Sequence, residues 1–234
     1  MIIFWRLVLA HFIADFTFQT NHIANWKRQS KWGMIVHVIT HPITSYALTW
    51  PNLSMPWVRT RWFHLDGWIC VGFLALFHWL EDEWRVWSIQ ETGSPDSTGF
   101  FLWDQVVHLA MILAFSPTLP DTKPEIWVFV ALCAVLLAHF TSVLIYFLEN
   151  DLWGSSHVLD KKKYYYMGER LLGASLFLLP GAWFLLALGW LGYIFYVHYR
   201  RTQERSWVNI VVGNCSVVFL GLIARGLLSS QIIH

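Results

Sequence analysis

Charge is what this chain has least of. Of its 234 residues only 13% are Asp, Glu, Lys or Arg, against 56% hydrophobic, and the formal net charge is +1. A soluble globular chain has about a quarter of its residues charged, so an ordinary soluble domain is excluded. The few charges cluster between long apolar stretches, the arrangement a bilayer requires. A net charge so near zero leaves no case for a nucleic-acid partner. Cysteine is equally sparse: Cys70, Cys133 and Cys215 are isolated, odd in number and set in apolar segments. They form no CxxC pattern and no disulfide framework, and read as buried reduced thiols. There is no low-complexity tract and no soluble domain of any size. No removable signal peptide is expected, because the apolar run Met1–Ala10 lacks a small-residue cleavage site and is interrupted by His11 and Asp15. Chemistry must therefore take place in or at the membrane.

What is present is an all-α pattern, a polytopic transmembrane helical bundle of seven to eight spans. They are expected near 2–20, 33–50, 67–86, 98–116, 125–148, 167–180, 182–199 and 207–228. The sixteen Trp and seventeen Phe suit lipid-facing and interfacial positions. The stretch 168–198 is too long for one crossing, and Pro180-Gly181 near its middle breaks the helix and permits a turn, so two short crossings are expected. That choice puts three basic clusters on one face: Lys27, Arg28 and Lys31; Lys161, Lys162 and Lys163; Arg200, Arg201 and Arg205. The positive-inside rule makes that face cytoplasmic, with Arg59 and Arg61 on the other side as counter-evidence. Residues 51–66 and 117–124 read as short outer connections and 87–97 as a polar inner turn.

Each of the first four spans carries a pair of metal-ligand-type residues four apart: His11 and Asp15, His37 and His41, His78 and Asp82, Asp104 and His108. Residues so spaced lie on one helix face, one turn above the other. Ionisable groups inside a membrane are costly and are functional candidates by default. The positions also repeat at an offset of 67, which suggests a duplicated helical hairpin, about 1–50 and about 67–116, within a four-helix core of residues 1–116. Residues 117–234 would add the C-terminal helices. Because neighbouring helices run in opposite directions, the pairs are expected to sort into two levels about 6 Å apart. One level would hold His11, His41, His78 and His108, the other Asp15, His37, Asp82 and Asp104.

Eight such ligands in a four-helix core could hold one or two transition-metal ions. Imidazole with carboxylate suits zinc, iron, manganese or cobalt, with zinc the first expectation. The alternative is a structural network of hydrogen bonds across helices; a proton or ion pathway is a further one. Gln19 extends the first stripe by a turn and Gln105 adjoins Asp104, so each could orient a ligand or simply mark an interface. Glu81, Glu83 and Arg85 read as a solvated helix end, with a glutamate as general base the rival reading. His139 reads as packed, and His22, His64, His157, His198 and His234 carry no spacing signal.

Together these residues resemble domain-of-unknown-function family 3307, a group of prokaryotic membrane proteins. The resemblance rests on HFIADFTFQ at 11–19, the basic Lys27-Arg28, HVITH at 37–41, HWLED at 78–82 and DQVVH at 104–108. More loosely, it extends to GERLLGASLFLL at 168–179. After Asp82 this chain has Glu83-Trp84-Arg85, where the family pattern has other aromatic and basic residues. The resemblance implies an integral membrane protein of a prokaryote; with the orientation set by the basic clusters, that is a cytoplasmic-membrane protein with the motif near the cytoplasmic face.

The expected function is that of a metal-dependent membrane hydrolase acting on a lipid-linked or membrane-delivered substrate. All eight paired residues would hold the ions, with Asp15, Asp82 and Asp104 as the carboxylates nearest the chemistry. Lys27, Glu169 and Arg170 are the candidates for substrate contact, because a guanidinium binds phosphate or carboxylate in bidentate fashion. For Arg170, pairing with Glu169 or with an Asp of the core is the competing reading. A metal or proton transporter using the same ligands is the main rival. It is weakened because only Gly33 and Pro42 break the helices beside them. A structural membrane protein with a polar core is the second rival.

Overall fold

The computed structural model describes residues 2–117, 124–156, 162–200 and 206–232, with the side chains of 162 and 228–232 excepted. His157, Lys161, Arg201, Arg205 and His234, named above, lie outside the described residues, as does most of the connection 117–124. The fold is all-α, relieved by one small hairpin. Two compact units follow one another along the chain, Met1–Val128 and Phe129–His234.

The first unit begins with α1 (Ile2–Phe12), whose last stretch widens into a π-helical turn at Ile13–Phe18. There the Gln19 amide N–H reaches back five residues to the Ala14 carbonyl. The chain then bends by 90° into the short α2 (Asn21–Gln29). Thr20 caps α2 by accepting from the Ile23 amide, and Ser30 caps α3 (Lys31–Thr49) by accepting from the Trp32 amide. The corner between them is tight: a Cβ on Gly33 would sit 2.4 Å from the Trp26 carbonyl carbon, so only glycine fits. The outer connection forms an antiparallel pair, β1 (Pro56–Arg59) with β2 (His64–Asp66). Then come α4 (Gly67–Glu91) and α5 (Thr98–Phe115), the latter capped by Ser97. Helix α1 packs on α3, α3 on α4, α4 on α5, and α5 back on α1, closing a four-helix ring.

Helix α6 (Ile126–Val135) starts at the end of the first unit. It runs through a second π-turn, Leu136–Phe140, into α7 (Thr141–Trp153). Helices α8 (Lys162–Phe177), α9 (Leu186–Arg200) and α10 (Trp207–Ile232) complete the second unit. Between α8 and α9 lies the expected Pro180-Gly181 turn, with Gly181 at φ +56° followed by a 3-10 turn. The two helices return on one another: Trp190 packs over Gly173, and His198 lies against Glu169 and Tyr166. A core of Leu137, Phe177, Ala187 and Val217 holds the unit together.

Among the described residues four helical stretches are long and apolar enough to cross a membrane: Thr98–Phe115, Ile126–Trp153, Gly181–Arg200 and Trp207–Leu227. Counting the bent pair Ile2–Phe18 with Asn21–Gln29 as one span makes five. The helices that fall short include α3 and α4. These carry His37, His41, His78, Glu81 and Asp82, so the side chains of chemical interest are what lower their hydropathy. Large apolar side chains such as Trp32, Trp50 and Trp183 stand exposed, as lipid-facing residues do. Cys70 and Cys133 are buried, but Cys215 is exposed, against expectation, because it lies on an outward face of α10.

Candidate metal centre of the four-helix ring

All eight paired residues are buried, none more than 7% exposed, and they converge inside the ring. The histidine level forms as the spacing requires. His41 stacks on His78 at 3.5 Å between ring centroids, His78 lies 4.3 Å from His108, and His11 lies 5.1–5.9 Å from the other three.

The second level does not form as one plane. The π-turn displaces Asp15 so that it stands between levels: the His41 imidazole donates to its Oδ1 at 3.1 Å, and His37 Nε2 lies 3.3 Å from the same oxygen. His11 Nε2 is 3.5 Å from Asp15 Oδ2. On the other side His37 meets Asp82 Oδ2 at 3.0 Å, His78 Nε2 meets His37 Nε2 at 3.2 Å, and His78 to Asp82 is 3.5 Å. Asp104 is drawn away from both. Arg85 Nη1 donates to it at 3.3 Å, and its open side faces Glu81 and His108.

The expected octet is therefore three groups whose ligand atoms lie within 4.8 Å of one another: His11, Asp15, His41 and His78; His37, His78 and Asp82; and Glu81, Asp104 and His108. Two ligands of a tetrahedral ion with bonds of about 2.0–2.1 Å stand about 3.3–3.4 Å apart. The second group's edges of 3.0, 3.2 and 3.5 Å match that spacing. Buried His and Asp groups that could hold a metal ion are thus a property of this fold.

Gln105 ties the first and third groups together. Its amide donates to Asp104 Oδ2 at 2.9 Å and to Asp15 Oδ2 at 3.4 Å, and its carbonyl accepts from His11 at 3.2 Å. Gln19 does not share that part. It closes the π-turn, and its Oε1 is buried without a hydrogen-bond partner. Lys27, a candidate for substrate contact, is engaged inside the ring: the 90° bend turns α2, and the ammonium meets Asp82 Oδ2 at 3.0 Å. Arg28 meets Asp96 at 2.8 Å, and Asp96 meets Arg85 at 2.9 Å, so a chain of alternating charge runs Arg28, Asp96, Arg85, Asp104. On the far side of the histidine level a cavity is lined by Leu7, Pro42, Val71, Leu74 and Met111 along with the imidazoles.

The solvated helix end expected at 81–85 is wrong for two of its three residues. Arg85 is buried, and Glu81 turns its carboxylate inward toward His108, with Oε2 3.6 Å from Nε2. The signal was there: Glu81 lies three residues from His78, the other spacing that shares a helix face. Glu83 alone behaves as expected, accepting from the Trp79 indole at an exposed position.

In the second unit Glu169 and Arg170 spend their hydrogen bonds on that unit's own residues. Arg170 donates to the Leu137 carbonyl at 2.8 Å, the Ala138 carbonyl at 3.2 Å, Ser142 at 2.5 Å and Asn209 at 3.3 Å. The π-turn frees those carbonyls, and in a membrane they need a donor from within the protein. Glu169 pairs with His198 at 3.0 Å, not with Arg170. Neither offers the free head group that substrate contact requires. His198, which had no spacing signal, is buried.

Seven buried atoms of the ligand-type residues have no hydrogen-bond partner within the protein: Nδ1 of His37 and His78, both nitrogens of His108, Oδ1 of Asp104 and both oxygens of Glu81. Each such atom costs about 1–3 kcal/mol. A network serving only to fix helices would satisfy its members. Five of the seven fall in the third group, where two carboxyl groups within 4.8 Å of each other must share a proton or a cation to escape like-charge repulsion. A bound cation relieves both penalties.

Compared with known families, the chain matches the model described as "Protein of unknown function (DUF3307)" over residues 3–134, just over half its length and the whole four-helix ring. No curated protein and no solved structure matches it.

Proposed function

The chain belongs to the DUF3307 family, and from the geometry of its ring we propose that it is a membrane-embedded, metal-dependent hydrolase acting on a lipid-linked or membrane-delivered substrate. One observation carries the reading: carboxylates and imidazoles from α1, α3, α4 and α5 converge in buried groups whose third member, Glu81–Asp104–His108, has almost no internal hydrogen bonding. The donor chemistry fits a divalent transition metal, zinc first, then iron or manganese. A four-ligand set such as His11, Asp15, His41 and His78 is closed, whereas three protein ligands leave a position for water or substrate. Glu81, Asp104 and His108 therefore mark the reactive side.

A divalent ion supplies a Lewis acid and a water acidified toward neutrality. The chain supplies the rest. Glu81 keeps a second carboxylate oxygen to take a proton when the other holds the ion, Arg85 holds Asp104 in place, and Gln105 keeps His11 and Asp104 in register. Arg28 lies at the charged end of the ring, 42% exposed at its side chain, where an anionic head group would meet it. The cavity beyond the imidazoles, about 30 Å³, is lined mostly by apolar side chains and admits only a small group. Charge at one end of the ring and exposed apolar side chains around it fit a membrane-delivered amphiphile better than a polar solute.

The transport reading draws on a separate observation, that two of the ligand groups share His78. Elemental analysis of protein purified after growth with zinc, iron and manganese tests the common premise. At least one equivalent of metal per chain is expected, and its absence in all three preparations overturns both readings. Hydrolysis of generic phosphoester and carboxylester substrates, measured beside ion uptake into vesicles, then separates them.

A further inference from the structure

The first and second ligand groups are not independent. His78 Nε2 lies 3.2 Å from His37 Nε2, 3.5 Å from Asp82 Oδ2 and 3.7 Å from Asp15 Oδ1, so one nitrogen faces both groups. An imidazole nitrogen has one lone pair to give. An ion held with His37 and Asp82 and an ion held with His11, Asp15 and His41 are therefore alternatives. Something must decide between them, and the structure has a cation already in place at one of the two.

The Lys27 ammonium lies 3.0 Å from Asp82 Oδ2, and the Lys27 side chain is only 11% exposed. It arrives from α2, a helix with no buried residues that crosses the ring after the 90° bend. That helix is fixed at its C-terminal end by Arg28, whose guanidinium meets Asp96 and whose carbonyl accepts from Gln90 at 2.6 Å. The ammonium thus reaches Asp82 on a flexible four-carbon stem from an anchored helix, and it can leave by a change of side-chain conformation alone. A second cation on Asp82 beside the first would place like charges a few ångströms apart in a medium of low dielectric.

We propose that the ring contains two overlapping ion positions sharing His78, and that Lys27 fills the lower one and confines a metal ion to the position made by His11, Asp15, His41 and His78. This rests on the reading that the ring binds metal. It makes Lys27 a positioning residue: an ion moves between the two sites only when the Lys27 ammonium leaves Asp82.

The test is a rescue, run on full-length protein in nanodiscs with cobalt(II) as the probe and its visible absorption as the readout. Every variant carries Glu81→Gln, so that the third group does not contribute. His41→Ala removes a ligand of the upper position only and is expected to weaken cobalt binding tenfold or more. Adding Lys27→Gln should restore at least tenfold, because the ion can then use His37 and Asp82; adding His37→Ala as well should abolish the recovery. Lys27→Arg, which keeps the charge, and Lys31→Gln, on the exposed start of α3, should not rescue. No recovery with Lys27→Gln in protein that stays monodisperse overturns the inference. So does recovery that survives His37→Ala, or a His41→Ala protein that binds as tightly as its parent. If the parent binds no cobalt at all, the reading beneath the inference fails with it.

Discussion

Gln105 donates its side-chain amide to Asp104 Oδ2 at 2.9 Å, and the same side chain accepts from His11 at 3.2 Å. A neutral residue therefore holds two ligand-type groups from different helices in one register. Groups that orient metal ligands are worth about 10–100-fold in affinity. Gln105→Leu, which keeps the bulk and removes the hydrogen bonds, should weaken metal binding by about that range without emptying the ring. Competition against a chelating dye measures it. A change below about threefold would mean that the imidazoles need no help, and that Gln105 only fills space between α5 and α1.

Glu81 makes the sharpest contrast between a helix end and a ligand. Its carboxylate oxygens have no hydrogen-bond partner and face Asp104. Glu81→Gln removes a like-charge repulsion, so metal-free protein should melt at the same temperature or a few degrees higher. The same substitution should lower bound metal by up to one equivalent per chain. Elemental analysis and a thermal melt on one preparation read both. A fall in melting temperature with unchanged metal content would return Glu81 to a structural role.

Much of the ring is legible in the sequence, and the reason is geometric. A helix converts a spacing of four into a shared face, so His11, His37, His78 and their partners were bound to meet once four spans packed around one axis. Nothing in that rule foresees a π-turn, whose extra residue per turn moves Asp15 between levels and lets His37 and His41 share it. Nor does it foresee side chains that reach the site from elsewhere. Lys27 enters from a helix outside the ring, and Arg85 pulls Asp104 sideways through contacts with a loop residue, Asp96. The positive-inside rule explained Lys27 and Arg28 well enough to hide their contacts. In the second unit, Arg170 next to Glu169 invited a pairing that helix geometry opposes, since neighbours in sequence point to different faces.

Arg6 and Glu125 give the first unit a pH-sensitive contact away from the ring. Arg6 donates to both Glu125 oxygens, at 2.6 and 2.7 Å, and to the Leu48 carbonyl at 3.0 Å. Glu125 precedes α6, and its hydrogen bonds from Arg6 outweigh desolvation and, with the guanidinium charge, hold its carboxyl below the ordinary 4.5. A carboxyl with a lowered folded-state pKa adds stability that is complete above 4.5 and disappears as pH falls through the lowered value. Wild type should therefore melt above Glu125→Gln at pH 7, and the gap should narrow between about pH 4.5 and lower values. A gap independent of pH would assign the difference to shape alone. Both side chains are partly exposed, so added salt should narrow the gap as well.

Arg170 separates a structural guanidinium from a substrate-binding one. Its donors meet two carbonyls of the π-turn, a hydroxyl and an amide oxygen, all supplied by the second unit. Removing it leaves those acceptors buried in a medium with no water to replace it, at about 1–3 kcal/mol for each unsatisfied group. Arg170→Met should then lower the melting temperature by several degrees, roughly 2–4 °C per kcal/mol for a domain of 150–250 residues. Arg170→Lys should recover only part of this, because one ammonium cannot reach around a widened turn as a planar fork does. Metal content should be unchanged in both variants, since the ligand groups belong to the first unit. An Arg170→Met protein that melts like wild type but loses hydrolytic turnover would reverse the assignment and restore the guanidinium as a substrate contact.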